Sequence, residues 1–98
     1  MYTLEILPSA AKQLQKLDKQ SYKIISAWLH RHLEGIDNPR RFGKPLKGKL
    51  SAFWRYRIGD YRLLAKIDDD KIKIFVFELA HRKEVYRLAQ KLVQSRQK

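Results

Sequence analysis

The sequence predicts an α+β fold: an antiparallel β-sheet of about four strands, with two N-terminal helices packed on one face and a C-terminal helix. Three observations predict it. Apolar residues recur at helical spacing in the first third of the chain, strand-like runs fill residues 52–79, and Gly59-Asp60 supplies a two-residue turn between two of those runs. Because helices must bury their apolar stripes against a sheet, we expect a two-layer domain that spans residues 1–98 in the order β-α-α-β-β-β-α.

The first half of the chain carries the signals for one strand and two helices. Residues 2–7 alternate weakly and end at Pro8, which can open a first helix because proline is tolerated in the first turn. Asp18 is suited to cap a second helix over about residues 19–35. The apolar stripe of this second helix consists of Tyr22, Ile25, Leu29, Leu33 and Ile36.

Three strands follow, over roughly residues 52–58, 61–67 and 71–79. Their short links force antiparallel neighbours. On the last strand, strict alternation puts Phe75, Phe77 and Leu79 on one face and Ile72, Ile74 and Val76 on the other. Apolar residues on both faces indicate a central, covered strand. The final helix is predicted from near Arg82, and we expect the first strand to join the sheet.

The formal charge is +12 on 98 residues. Such a charge repels itself in the compact state, so we expect an anionic partner to offset it. Nucleic acid is favoured because phosphate contacts dominate that kind of binding. An acidic protein partner would meet the same physical need, and a basic protein without a special partner is the third reading.

Several kinds of site are not indicated. The chain has no cysteine, which excludes disulfides and thiolate metal sites, and no cluster shows metal-ligand spacing. We therefore expect no metal and no cofactor. The N-terminus has no apolar core of signal-peptide length, and no apolar run approaches the roughly 20 residues that span a bilayer. The expectation is a soluble, cytoplasmic protein without a membrane partner.

The segment from Lys44 to Arg62 concentrates the charge. Its cations are Lys44, Lys47, Lys49, Arg55, Arg57 and Arg62, against the single acid Asp60. Alternation places Arg55 and Arg57 on one face of their strand, and the hairpin lets Arg62 lie beside them. Like charges side by side cost stability unless solvent screens them or a phosphate sits between them, and we favour the phosphate. Phe53 shares this face and is a candidate for base stacking or for loop packing.

A second set of polar residues follows the last strand. His81 and Arg82 lie where that strand passes into the final helix, and Tyr86 shares a helical face with Arg82. We expect imidazole, phenol and arginines to converge on one side of the sheet. This set suits attack of an RNA 2′-OH on the neighbouring phosphodiester. The arginines would stabilise charge, His81 would act as base or acid, and Tyr86 would orient the nucleotide or assist proton transfer.

The run KPLKGKLSAFWRYRIGDYRLLAKI followed by ELAHRKEVY resembles the core motif of the RelE/ParE toxins of bacterial type II toxin–antitoxin systems. The resemblance covers nearly the whole chain. It implies a small RelE-like α+β toxin that a cognate, acidic antitoxin neutralises, with operator DNA bound through the complex. RelE-like members of the family cut mRNA in the ribosomal A site. ParE-like members poison DNA gyrase instead and lack the nuclease residues.

The resemblance also implies roles for individual residues. Arg55 and Arg57 match the paired basic residues before the turn, Arg62 matches the arginine after it, and Tyr86 matches the tyrosine of the final helix. His81 and Arg82 fall in a segment that holds another catalytic basic residue. The best-studied nucleases have lysines where this chain has Arg55 and Arg57. Because an arginine practically cannot lose a proton, His81 becomes the favoured candidate for the general base.

The expected function is thus a ribosome-dependent endoribonuclease that inhibits translation. Its expected catalytic residues are Arg55, Arg57, Arg62, His81 and Tyr86. Its expected RNA-binding residues are Lys44, Lys47, Lys49, Phe53 and Arg82. The alternatives are a ParE-like gyrase inhibitor without nuclease activity and a basic nucleic-acid-binding module.

Overall fold

The computed structural model describes residues 1–81, so Arg82, Tyr86 and the predicted C-terminal helix lie outside the described residues. The described strands are β1 (Thr3–Ile6), β2 (Lys44–Pro45), β3 (Trp54–Ile58), β4 (Tyr61–Asp68) and β5 (Lys73–His81). The helices are α1 (Pro8–Gln15) and α2 (Lys19–His32), and short 3-10 turns occupy Pro39–Arg41 and Gly48–Leu50. The predicted order of helices and strands is found in this part of the chain with one addition, the two-residue strand β2.

The sheet is mixed rather than antiparallel throughout. Its five strands lie in the order β1-β5-β4-β3-β2, and β1 runs parallel to β5 while the other neighbours are antiparallel. A parallel pair requires a long crossover, and the chain between β1 and β5 supplies one. The fifth strand, β2, has only two residues and pairs with Arg55 and Trp54. The expected four-stranded antiparallel sheet is therefore corrected at both edges.

Both helices begin where the sequence indicates. Pro8 stands at the start of α1. The Ser21 backbone N–H donates a hydrogen bond of 3.2 Å to Asp18 Oδ2 at the start of α2, and the bonding of Ser21 to this carboxylate lowers the pKa of Asp18. The helix ends at His32, short of the predicted end at Gly35. The start of α1 thus follows from the proline in its first turn, and the start of α2 follows from the Asp18 cap.

One core lies between the helices and the sheet. Tyr56 is fully buried there, and its hydroxyl donates to the Pro39 backbone oxygen at 2.6 Å. Burial raises the pKa of Tyr56, so this hydroxyl keeps its proton. The other buried members are Ala10, Leu14, Ile25, Leu29, Leu33, Ile58, Leu63, Ala65, Ile74, Val76 and Leu79. The face of β3 that carries Tyr56 and Ile58 is therefore the helix-covered face.

A β-bulge interrupts the pairing of β4 with β5. Leu64 lies opposite Glu78 and Ala65 lies opposite Val76, so Phe77 is an extra residue on β5. The extra residue reverses the alternation of everything after it. Leu79 consequently joins Val76 in the helix-side core, and its predicted position on the face of Phe75 and Phe77 is wrong.

Helix α1 supports the bulged part of β5. The Glu78 carboxylate is buried and accepts hydrogen bonds from Ser9 Oγ at 3.0 Å and from Gln13 Nε2 at 2.7 Å. The Gln13 side-chain oxygen accepts from the Leu79 backbone N–H at 2.7 Å. These bonds satisfy a carboxylate that would be costly to bury alone.

A second, smaller apolar cluster covers part of the opposite face. The segment between β2 and β3 folds back over the sheet, where Leu46, Leu50 and Phe53 bury against Leu64. Phe53 closes this segment, because its backbone accepts from the Leu46 N–H at 3.1 Å and donates to the Leu50 oxygen at 2.9 Å. Within residues 1–81, no helix is long and apolar enough to cross a bilayer.

Candidate functional site

The β3–β4 hairpin builds the basic face. Ile58 lies opposite Tyr61, which leaves Gly59 and Asp60 as the predicted two-residue turn, and Gly59 has the positive φ of 58° that such turns require. Arg57 lies directly opposite Arg62. Since cross-strand partners share a face, both arginines lie on the side of the sheet opposite the helices. The predicted adjacency of Arg62 and Arg57 is confirmed.

The hairpin turn moderates the repulsion between the two arginines. Arg62 Nη1 donates to the backbone oxygens of Gly59 and Tyr61, both at 3.0 Å. Carbonyl dipoles thereby offset part of one charge, while Arg57 is exposed. Guanidinium groups carry fixed positive charge in proteins, so this end of the hairpin presents positive charge to an incoming anion.

Further cations extend this charge towards the β2 edge. Arg55 lies opposite Leu64 on one side and opposite Lys44 on the other, so Lys44 and Arg55 also share the arginine face. Lys47 and Lys49 flank Gly48 in the segment over the small cluster, and both are exposed. The structure thus brings the predicted cations together along one side of the molecule. Their RNA contacts stay a prediction, as do those of Arg82.

Phe53 is not available for base stacking. Only 2% of its surface is exposed, and its ring meets Phe77 edge-on at 5.8 Å between centroids. The Lys66 ammonium lies 5.0 Å from the Phe53 centroid and adds a cation–π contact. The expected RNA-binding role of Phe53 is therefore wrong, and the alternative, loop packing, holds. The segment between β2 and β3 covers this part of the face.

His81 does not converge with the arginines. It lies opposite Tyr61, which in turn lies opposite Ile58 on the helix-covered face, whereas Arg62 lies opposite Ala80. The His81 and Tyr61 rings make an edge contact at 6.1 Å between centroids. The cause is the bulge at Phe77, since unbroken alternation would have given His81 the face of Phe75 and Phe77. The expectation of one shared hollow for imidazole and guanidinium groups is wrong.

A hollow that the sequence did not predict opens at the edge of β3, beyond the short strand β2. Its volume is about 390 Å³, and the described residues that line it are Trp28, Phe42, Gly43, Lys44, Arg55 and Arg57. Gly43 has φ 79°, and a Cβ there would collide with the Arg55 backbone oxygen. This close approach holds the loop against β3. The isolated glycine after Phe42 is the one signal in the sequence that could have indicated it.

The described residues offer charge stabilisation more clearly than proton transfer. None of the three histidines lies on the arginine face: His30 and His32 are on α2 and His81 is turned away. No group of three or more His, Asp or Glu side chains in residues 1–81 could hold a metal ion. The arrangement is suited to bind a phosphodiester and to stabilise extra negative charge on it.

Comparisons with known proteins agree with this geometry. Residues 4–86 match the model of a family described as the ParE toxin of the type II toxin–antitoxin system parDE. The chain is 32% identical to toxin RelE of Mycobacterium tuberculosis over 87 residues, which cover 89% of this chain and 88% of that toxin. It is 31% identical to toxin RelG of the same organism over 88% of this chain and 97% of that protein.

A solved structure shows the same fold. A chain of the RelBE2 toxin–antitoxin complex of M. tuberculosis aligns with a TM-score of 0.70 and 30% identity. The alignment covers 83% of this chain and 91% of that one. Family match, sequence identity and fold point the same way: the chain belongs to the RelE/ParE family of type II toxins.

Proposed function

We propose that this protein is an endoribonuclease toxin that inhibits translation by cleaving mRNA in the ribosomal A site. The observation that carries the proposal is the direct pairing of Arg57 with Arg62 on the face of the sheet opposite α1 and α2. A like-charged pair in which Arg57 is exposed is readily understood if an anion binds between its members. The similarity to proteins named RelE and RelG supports the same reading.

The proposed reaction uses the RNA itself as nucleophile. The 2′-oxygen forms a bond to the adjacent phosphorus, and the bond from phosphorus to the 5′-oxygen breaks. The products are a 2′,3′-cyclic phosphate and a 5′-hydroxyl. The 2′-OH gives up one proton and the departing oxygen gains one. Arg57 and Arg62, with Arg55 beside them, stabilise the negative charge that develops on the phosphorus oxygens.

Proton transfer requires a different group. Arginine does not deprotonate, and His81 lies on the other face of the sheet. We therefore assign to Tyr86, which lies outside the described residues, the role of orienting the nucleotide or assisting the transfer. The assignment depends on the family resemblance alone.

We further propose that an acidic antitoxin neutralises this toxin. The RelBE2 toxin of M. tuberculosis was solved in complex with its antitoxin, and the net charge of +12 here would attract an acidic partner. The complex would also bind operator DNA. A toxin that acts on ribosomes works in the cytoplasm.

The test is addition of the purified protein to translating ribosomes, with the cut sites mapped by primer extension. We expect cuts within the A-site codon and none in naked mRNA. Intact message during otherwise active translation would contradict the proposal.

A second candidate is inhibition of DNA gyrase without catalysis. The match to the ParE family model and the lack of a histidine on the arginine face both favour it. A gyrase supercoiling assay separates the candidates. Inhibited supercoiling together with intact A-site mRNA would select the gyrase reading.

A further inference from the structure

We propose that the hollow at the edge of β3 binds one nucleotide of single-stranded RNA. The base would pack against the rings of Trp28 and Phe42, and its phosphate would lie among Lys44, Arg55 and Arg57. This inference rests on the proposed function and extends it, because two of the arginines of the cleavage site also line the hollow. It would hold a nucleotide next to the one that is cut.

The aromatic wall of the hollow is fixed in place. The Trp28 and Phe42 ring centroids are 6.1 Å apart at an interplanar angle of 68°, and Trp28 also contacts the buried ring of Tyr56 at 5.9 Å. The Trp54 indole N–H donates to the Phe42 backbone oxygen at 2.7 Å, which anchors the loop. Rings that are already positioned lose little entropy when a base packs on them.

The polar lining that residues 1–81 contribute has one sign of charge. Three of the six described lining residues are cations, and none of these six is acidic. Arg41 adds a guanidinium 5.7 Å from the centroid of the Phe42 ring. A wall of aromatic rings beside cations is the combination that binds single-stranded nucleic acid, since every base has a face that stacks and every linkage has a charge.

The size and openness of the hollow also fit a nucleotide within a chain. Its volume of about 390 Å³ falls in the roughly 300–1,000 Å³ range of small-ligand pockets. The short strand β2 pairs only with Trp54 and Arg55, so within residues 1–81 no second strand pairs with the edge of β3 at Arg57, and this residue is exposed. An acidic peptide would use the cations but would gain little from the rings, which favours RNA.

The first measurement uses the wild-type protein and the two indole N–H signals in its NMR spectrum. Uridine 5′-monophosphate should shift the signal of Trp28 clearly more than the same concentration of inorganic phosphate does, because only the nucleotide has a base that packs on the ring. Equal shifts from both probes, or none from the nucleotide, would overturn the proposal without reference to any variant.

The second measurement is fluorescence anisotropy with a labelled 2′-O-methyl oligouridylate, which cannot be cleaved. Phe42→Leu removes the ring and keeps most of the apolar volume, so it should weaken binding roughly fivefold to a hundredfold, the range for loss of one stacked base. It should leave the affinity for inorganic polyphosphate unchanged. Lys44→Glu should weaken both. Phe75→Leu, which removes a half-buried ring elsewhere, is the matched control and should weaken neither.

The outcomes separate this inference from the proposed nuclease. Wild-type affinity of a folded Phe42→Leu variant for the oligomer, or displacement of the oligomer by polyglutamate at equal charge, would overturn the nucleotide site even if A-site cleavage occurs. Ring-dependent binding without cleavage would uphold the nucleotide site and overturn the nuclease.

Discussion

Phe53 and Arg57 lie on the same side of the same extended segment, yet one is 2% exposed and the other is at the surface. The difference comes from the chain between β2 and β3, which folds over Phe53 and stops short of Arg57. Alternation decides which face a side chain occupies, but the covering segment decides whether that face becomes core or site. A mutation at the buried Phe53 should therefore lower stability, and a mutation at the exposed Arg57 should lower activity.

The largest expected effect is a loss of stability at the buried Phe53. Phe53→Ala should lower the free energy of unfolding by about 3–5 kcal/mol, because it removes a buried ring from a small cluster that has few side chains to fill the cavity. Urea unfolding measures this loss. Phe53→Leu should cost much less, and the rate of A-site cleavage per folded molecule should stay near wild type. A stable Phe53→Ala protein with lost cleavage would contradict the assignment of Phe53 to the core.

A mutation at the exposed Arg57 should lower the cleavage rate and not the stability. Arg57→Ala should lower A-site cleavage roughly a hundredfold to a thousandfold, the range for loss of one donor that stabilises an oxyanion. Its melting temperature should be unchanged or higher, since a like charge opposite Arg62 is removed. Arg31→Ala, an exposed arginine on α2, is the control. Cleavage at the wild-type rate would show that the paired guanidinium groups take no part in the reaction.

His81 is a polar side chain like the arginines, but it lies on the other face of the sheet, so its mutation should have little effect on cleavage. His81→Ala should change the cleavage rate by less than about threefold, whereas removing a true general acid or base costs roughly a hundredfold or more. Single-turnover cleavage over a range of pH values gives the answer. A hundredfold loss would require His81 to reach the arginine face when RNA is bound.

The smallest effect concerns an arginine used for structure. Arg40 donates to both carboxylate oxygens of Asp69 at 3.0 Å, and Tyr2 also donates to Asp69. These bonds, that of Arg40 first, lower the pKa of the Asp69 carboxyl below its unfolded value. The stabilisation is therefore present above the unfolded pKa of about 4 and is lost as the pH falls through the lower folded pKa.

Thermal melts at several pH values between neutrality and strong acid test this prediction. Asp69→Asn should melt slightly below wild type near neutral pH, and the gap should close in acid. A difference in melting temperature that widens in acid would contradict the predicted direction of the pH dependence.

The sequence predicted the features that depend on local chemistry. Gly59 supplies the positive φ of the turn, and Asp18 caps its helix through a bond to a residue three positions away. The pairing of Arg57 with Arg62 follows from the turn length alone. Features that depend on distant packing were not predictable. The burial of Phe53 needs the loop above it, and the hollow needs Trp28 from a helix to meet Arg57 from a strand.

The bulge at Phe77 has a consequence for the register of β5. A one-residue slip of β5 against β4 that closes the bulge and keeps every residue would return β5 to simple alternation and carry His81 across to the arginines, whereas deletion of the extra residue would leave His81 opposite Tyr61. The same slip would move Leu79 out of the core and turn the Glu78 carboxylate towards it, away from Ser9 and Gln13. The register of this strand therefore sets the chemistry of the surface and the composition of the interior together. A change in the face of the sheet that carries the His81 side chain is therefore always accompanied by a change in the packing of α1 against β5.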